Sequence, residues 1–238
     1  MSEKGNQAVK TVSFMMLITL FGKILGMVRE QLLAANYGTD MQAAAFLLAS
    51  RIPRTFFDVI FASAISASFI PVFVEYLQKK GRQEAFSLAN RFITMISTVT
   101  LLMMLLGMAF AKPLTLLIAP GYDVETVTLC VGLLRMLFPT MLFTAVAFSF
   151  VGILQSLEEF NVPAALSVVS NGVLILYYIF FNEKFGILGL TVAFLIGWAM
   201  QAVIQIPSLW KKGYHYRPDF HFKDDGLRKI GRLMLPVM

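Results

Sequence analysis

The sequence predicts an all-α, polytopic membrane bundle, and three observations carry that prediction. Of 238 residues, 58% are apolar and only 14% charged, against about 45–50% and about 25% in soluble domains. Mean hydropathy is +0.73. The apolar residues gather into six runs able to cross roughly 30 Å of hydrocarbon as helices of about 20 residues. These runs are apolar on every side, unlike the alternating ten-residue strands of a β-barrel. With 22 Phe, 14 Met and few charges, a soluble enzyme, a disordered tail and a nucleic-acid-binding domain all fit poorly. The lone Cys130 has no cysteine to pair with and reads as small apolar filler.

The first run, Thr11–Met27, follows Lys4 and Lys10 and superficially resembles a secretory leader. Five further runs follow it, and Lys23 and Arg29 extend it, so it reads as a working helix. Gly22 and Gly26 have the small-xxx-small spacing that lets another helix approach closely. A charge at membrane depth costs about 2.5–3.5 kcal/mol on insertion scales, so Lys23 either lines a cavity or snorkels to the interface. Arg29 is either a cavity residue or a helix-end charge neutralised by Glu30.

The second run is Phe56–Tyr76. Just before and within it, Arg51, Arg54 and Asp58 stand at spacings of three, four and seven, on one helical face, with Pro53 marking a helix start or kink. Two readings stay open: an internal Arg54–Asp58 pair with Arg51 at the interface, or two guanidinium forks facing a water-filled cavity and gripping phosphate oxygens. The third run, Phe92–Ala111, carries no charge. The fourth, Val127–Leu154, holds Arg135 and Pro139, read as structural elements that hold or bend helix ends. The fifth, Pro163–Phe181, and the sixth, Phe185–Trp210, each contain one polar residue singled out here, Asn171 and Gln201, expected to hydrogen-bond between helices.

Three units follow: a six-helix lobe (1–210), a basic cytoplasmic linker (211–232), and 233–238, where the apolar signal restarts as the beginning of a seventh helix. That restart predicts a longer native protein of which this is the N-terminal part. Lys and Arg concentrate before the first run, between the second and third, and after the sixth, which predicts that both termini are cytoplasmic. Nothing calls for a cofactor or a metal. His215 and His221, with Asp219, Asp224 and Asp225, match no ligand spacing, Glu158 and Glu159 read as solvated, and no catalytic triad, HExxH or phosphate loop occurs.

Several blocks, in order, resemble the MurJ/MviN lipid II flippases. They are Gly22-Lys23-Ile24-Leu25-Gly26-Met27-Val28-Arg29-Glu30, Tyr37-Gly38, Arg51-Ile52-Pro53, Ser66-Ala67-Ser68-Phe69-Ile70-Pro71, Leu134-Arg135-Met136-Leu137-Phe138-Pro139, Phe160-Asn161-Val162-Pro163-Ala164, Ser170-Asn171 and Gly197-Trp198-Ala199-Met200-Gln201. The resemblance covers nearly the whole chain. It implies the first of two six-helix lobes of a fourteen-helix transporter that carries undecaprenyl-pyrophosphate-linked peptidoglycan precursor between leaflets by alternating access. The family's two first-helix cationic positions fall on Lys23, where Arg is usual, and on Arg29. Its second-helix acidic positions fall on Ala44 and Ala62, and an arginine position falls on Phe57, with Arg54 one turn earlier.

The expected substrate is therefore a lipid-linked glycan pyrophosphate, held by Lys23, Arg29, Arg51 and Arg54. The expected partners are membrane lipids and the C-terminal lobe, with no nucleic acid. Two alternatives remain, a flippase for another undecaprenyl-linked polysaccharide unit and a non-transporting scaffold for envelope synthesis. A drug or cation exporter of the same superfamily is disfavoured by the sign of Lys23.

Overall fold

The computed structural model describes residues 3–62 and 65–234, with side chains from Val12 onward; Ile60 and Ala62 are described as backbone only. Helix α1 spans Glu3–Tyr37 and α2 spans Met41–Phe57. Helix α2 runs into two π-helical segments, Asp58–Ala62 and Ile65–Phe69, and then into α3, Ile70–Lys79. The run expected at Phe56–Tyr76 is thus not a plain α-helix, and the reason is legible. Phe57, Phe61, Ile65, Phe69 and Phe73 are all buried and recur every four residues. In a 3.6-residue helix a four-residue repeat drifts about 40° per step, turning the stripe about 160° away over its length. The wider π turns hold it against the core, where Phe69 stacks on Phe92 at 4.3 Å between centroids.

Helix α4 (Arg82–Ala109) leads through the short α5 (Ala111–Ile118) to α6 (Val124–Leu137). Asp123 caps α6 by accepting from the backbone N–H groups of Glu125 and Thr126, both at 3.2 Å. The expected single run Val127–Leu154 is divided at Phe138 and Pro139, beyond which α7 spans Thr140–Ser156. Proline has no N–H for the helical ladder, so the break falls there. Helices α8 (Asn161–Ala164) and α9 (Leu166–Phe180) make up the fifth run. Helices α10 (Asn182–Val203) and α11 (Ile206–Lys211) make up the sixth, with a kink at Gly186, whose φ of 53° a side chain would disfavour.

Among the described residues, five helical stretches are long and apolar enough to cross a membrane: Val12–Tyr37, Arg82–Ala109, Val124–Ser156, Asn161–Phe180 and Asn182–Lys211. Two aromatic and aliphatic cores hold the bundle together. One joins the π segments, α3, α4 and α7; the other joins α1, α2, α6, α9 and α10, and Met103 packs against both.

The stretch read from sequence as a linker is docked onto α4. Tyr214, 1% exposed, donates to Asn90 Oδ1 at 2.8 Å, and the Asp219 N–H donates to Thr94 Oγ1 at 3.1 Å. Arg91 bridges Asp219 at 2.9 Å and Asp224 at 2.6 Å. Asp224 also caps α12 (Asp225–Met234), whose Leu227 and Ile230 are buried and whose Lys229 pairs with Glu75. Leu233 and Met234 close this helix; 235–238, the remainder of the expected seventh segment, lie outside the described residues.

The Asp219 carboxyl is held down from 3.8 to about 2, chiefly by the His221 backbone N–H, with the His221 ring and Arg91 adding to it. A carboxylate favoured in the folded state stabilises above its ordinary range and loses that contribution as pH falls through the folded value. Pepsin is therefore expected to cut within 214–224 as pH drops from about 4 toward 2, and to cut Arg91→Ala already at pH 4. Equal resistance of the two proteins at pH 4 would show that the ion pairs do not hold the segment down.

Candidate functional site

The site is a groove bounded by α1, α2, α9 and α10, with α7 and α8 closing one end, made of two adjoining halves of about 510 and about 500 Å³. Arg29, Arg54, Leu174, Phe194 and Trp198 line both halves, so the two guanidinium groups stand at the waist. The first half adds Arg51, Ser50, Tyr178 and Glu30. The second has a largely apolar lining, interspersed with the hydroxyl and amide groups of Thr19, Gln155, Ser167, Ser170 and Gln201.

Close packing of α1 on α9 sets the position of Arg29. A Cβ at Gly22 would lie 2.2 Å from Ser167 Oγ, whereas one at Gly26 would meet Asn171 at an ordinary 3.5 Å. Of the two glycines, Gly22 therefore governs the approach. Across this seam the buried Asn171 donates from Nδ2 to the Gly22 carbonyl at 3.2 Å and accepts from Arg29 Nη1 at 3.1 Å. The other Arg29 Nη meets Glu30 at 3.2 Å. An amide fixed at both ends holds the guanidinium toward the groove while leaving part of it accessible.

Arg54 lies over the Trp198 ring at 5.5 Å and faces Asp58 at 3.4 Å. Both members of this ion pair are exposed, so the pair is weak. Arg51 is exposed into the first half. Phe46, Phe194 and Trp198 form a ring-contact chain of 5.7 and 6.1 Å. These rings give the arginines an apolar, low-dielectric wall.

Other residues singled out from sequence lie elsewhere. Lys23 is exposed on α1 and does not line the groove; at 100° per residue it shares a flank of α1 with the lining residues Thr19 and Glu30. Arg135 Nε donates to the Met108 carbonyl at 3.2 Å, tying α6 to the end of α4, away from the groove. Pro139 begins α7. Gln201 turns into the groove, and the interhelical bond expected of it belongs to the buried Gln205, which donates to the Ala147 carbonyl at 3.1 Å. Phe57, where the resemblance placed an arginine position, is fully buried, and Arg54 occupies the groove instead. The side chain of Ala62 lies outside the described residues. Among the described residues no group of His, Cys, Asp and Glu could hold a metal ion.

Trp198, Phe194 and Tyr178 were not among the site residues expected from sequence, yet they line the groove. The available signal was the spacing of Phe194, Trp198 and Gln201, which puts two rings and an amide on one face of α10.

A family model described as lipid II flippase MurJ matches residues 33–238. The chain belongs to the MurJ family. It is 31% identical over 226 residues to a probable lipid II flippase MurJ of Buchnera aphidicola, covering 93% of this chain and 44% of that protein. A solved MurJ structure in an inward closed conformation is 25% identical and superposes with a TM-score of 0.76, over 93% of this chain and 46% of the other. A MATE transporter of Vibrio cholerae in a bent form shares the fold at a TM-score of 0.74 with 16% identity, over 97% of this chain and 53% of the other. The chain thus spans a little under half the length of the MurJ proteins it matches.

Proposed function

We propose that this chain is one lobe of a flippase that moves lipid-linked peptidoglycan precursor, lipid II, from the inner to the outer leaflet of the bacterial cytoplasmic membrane. The observation that carries the reading is the waist of the groove, where Arg29 and Arg54 face both halves and Arg51 stands beside them. A pyrophosphate cannot cross hydrocarbon with its charge unsatisfied. Three guanidinium forks replace its hydration with charge-assisted hydrogen bonds, and Lys23, on the flank of α1 shared by Thr19 and Glu30, adds a nearby positive charge. The hydroxyl and amide groups of the second half suit the saccharide, and the lipid tail stays in the bilayer. Rocking against a second lobe would open the groove to each side in turn, with both termini of this lobe cytoplasmic.

The test is outer-leaflet lipid II in a bacterium depleted of its own flippase and supplied with the full-length protein, with this 238-residue chain in parallel. The full-length protein is expected to restore it and the chain alone to fail. A well-inserted full-length protein that restores nothing would exclude lipid II as cargo.

A further inference from the structure

We propose that the outward face of the α9–α10 pair is a binding site for one membrane phospholipid, its acyl chain in an apolar groove and its phosphate on Lys184. The groove has a volume of about 500 Å³ and is lined by Leu176, Tyr177, Phe181, Phe185, Val192 and Ile196 among others, all apolar or aromatic. Tyr177, Phe181 and Phe185 form a ladder at one end, with centroids 6.4 and 6.5 Å apart. The Tyr177 hydroxyl donates to the Gly186 carbonyl at 2.6 Å, which fixes the ladder to the helix kink.

The cation stands where a headgroup would lie. Lys184 Nζ is 5.4 Å from the centre of the Phe185 ring, in the first turn of α10. That turn carries the polar contacts of Asn182 with Asn36, at 2.9 Å, and with Tyr37, at 2.5 Å. Polar side chains, aromatic rings and a lysine in that order mark the membrane–water boundary, where a basic residue attracts lipid phosphate. Beyond the rings the lining becomes aliphatic. From Ile187 to Ile196 the helix rises about 14 Å, roughly one leaflet of a core about 30 Å thick, which suits a single acyl chain.

The occupant is a separate lipid rather than the tail of the transported one. Leu174, Phe194 and Trp198 face the cationic groove, whereas Leu176, Tyr177, Val192 and Ile196 lie on the other side of the same two helices. A headgroup held at Arg29 could reach this face only by wrapping its tail around the pair.

Native mass spectrometry of the delipidated full-length protein, with phosphatidylglycerol added back, tests this. One retained lipid is expected, with retention about fivefold weaker in Lys184→Gln. A similar loss is expected in Val192→Trp, which fills the groove from a position 43% exposed. Leu102→Trp, 57% exposed on α4, should retain lipid as the parent does. Equal retention in all four proteins would reduce the lipid to ordinary annular contact and overturn the site. Loss in Lys184→Gln with full retention in Val192→Trp would equally overturn it, because charge without the groove would then explain binding. Should Val192→Trp misfold, Ile196→Phe fills the same groove.

Discussion

Arg29→Ala in the full-length protein is expected to impair lipid II transport severely while leaving the protein inserted and folded. The Arg29 side chain is 31% exposed and lines both halves of the groove, and its guanidinium is aimed by Asn171. A hydrogen bond to a charged group contributes about 1.5–3 kcal/mol, so losing the fork should weaken headgroup binding by about ten- to a hundred-fold. Insertion should not suffer, because removing a charge from a membrane helix lowers its insertion cost. Arg29→Lys separates charge from geometry. It keeps the cation but cannot hold Asn171 and a phosphate at once, so intermediate transport is expected. Lys23→Ala should have a smaller effect than Arg29→Ala, since Lys23 is not among the lining residues. Normal transport by Arg29→Ala would remove the waist from the mechanism.

The class of fold was legible because hydropathy over twenty-residue windows depends on composition alone. Boundaries and breaks depend on packing partners and were less so. The division at Pro139 could be foreseen from a missing N–H. The π segments were also written in the sequence, as apolar residues recurring every four positions from Phe57 to Phe73, but that signal acquires meaning only against a known core. The cationic side of the site was readable because arginines in apolar helices need a reason to be there. Its aromatic side was not: Phe194 and Trp198 look like any lipid-facing ring until α2 is placed across from them. Lys23 shows the same limit from the other direction. Its depth in the sequence was apparent, but only the contact of Gly22 with α9 decides which flank of α1 it occupies.

That contact yields the second large effect, which removes no charge at all. A Cβ at position 22 meets Ser167 Oγ at 2.2 Å and Ser167 Cβ at 3.3 Å, so Gly22→Leu must push α1 away from α9. Overpacking of this kind destabilises by about 1–3 kcal/mol. The functional loss should exceed what that instability predicts, because separating the helices also pulls the Gly22 carbonyl from Asn171 and so releases the side chain that aims Arg29. Gly22→Leu is therefore expected to transport as poorly as Arg29→Ala, with the thermal midpoint lowered as well. Gly22→Ala refines the test, since its clash is mainly with one hydroxyl. Ser167→Ala removes that oxygen and leaves a 3.3 Å approach that a shift of a few tenths of an ångström relieves. The double variant Gly22→Ala/Ser167→Ala should recover most of the transport that Gly22→Ala loses, with a coupling energy of about 0.5–3 kcal/mol in the cycle. If the two changes simply add, the seam between α1 and α9 is not what positions Arg29. If they compensate, a contact between two uncharged residues governs how the lobe presents its charge.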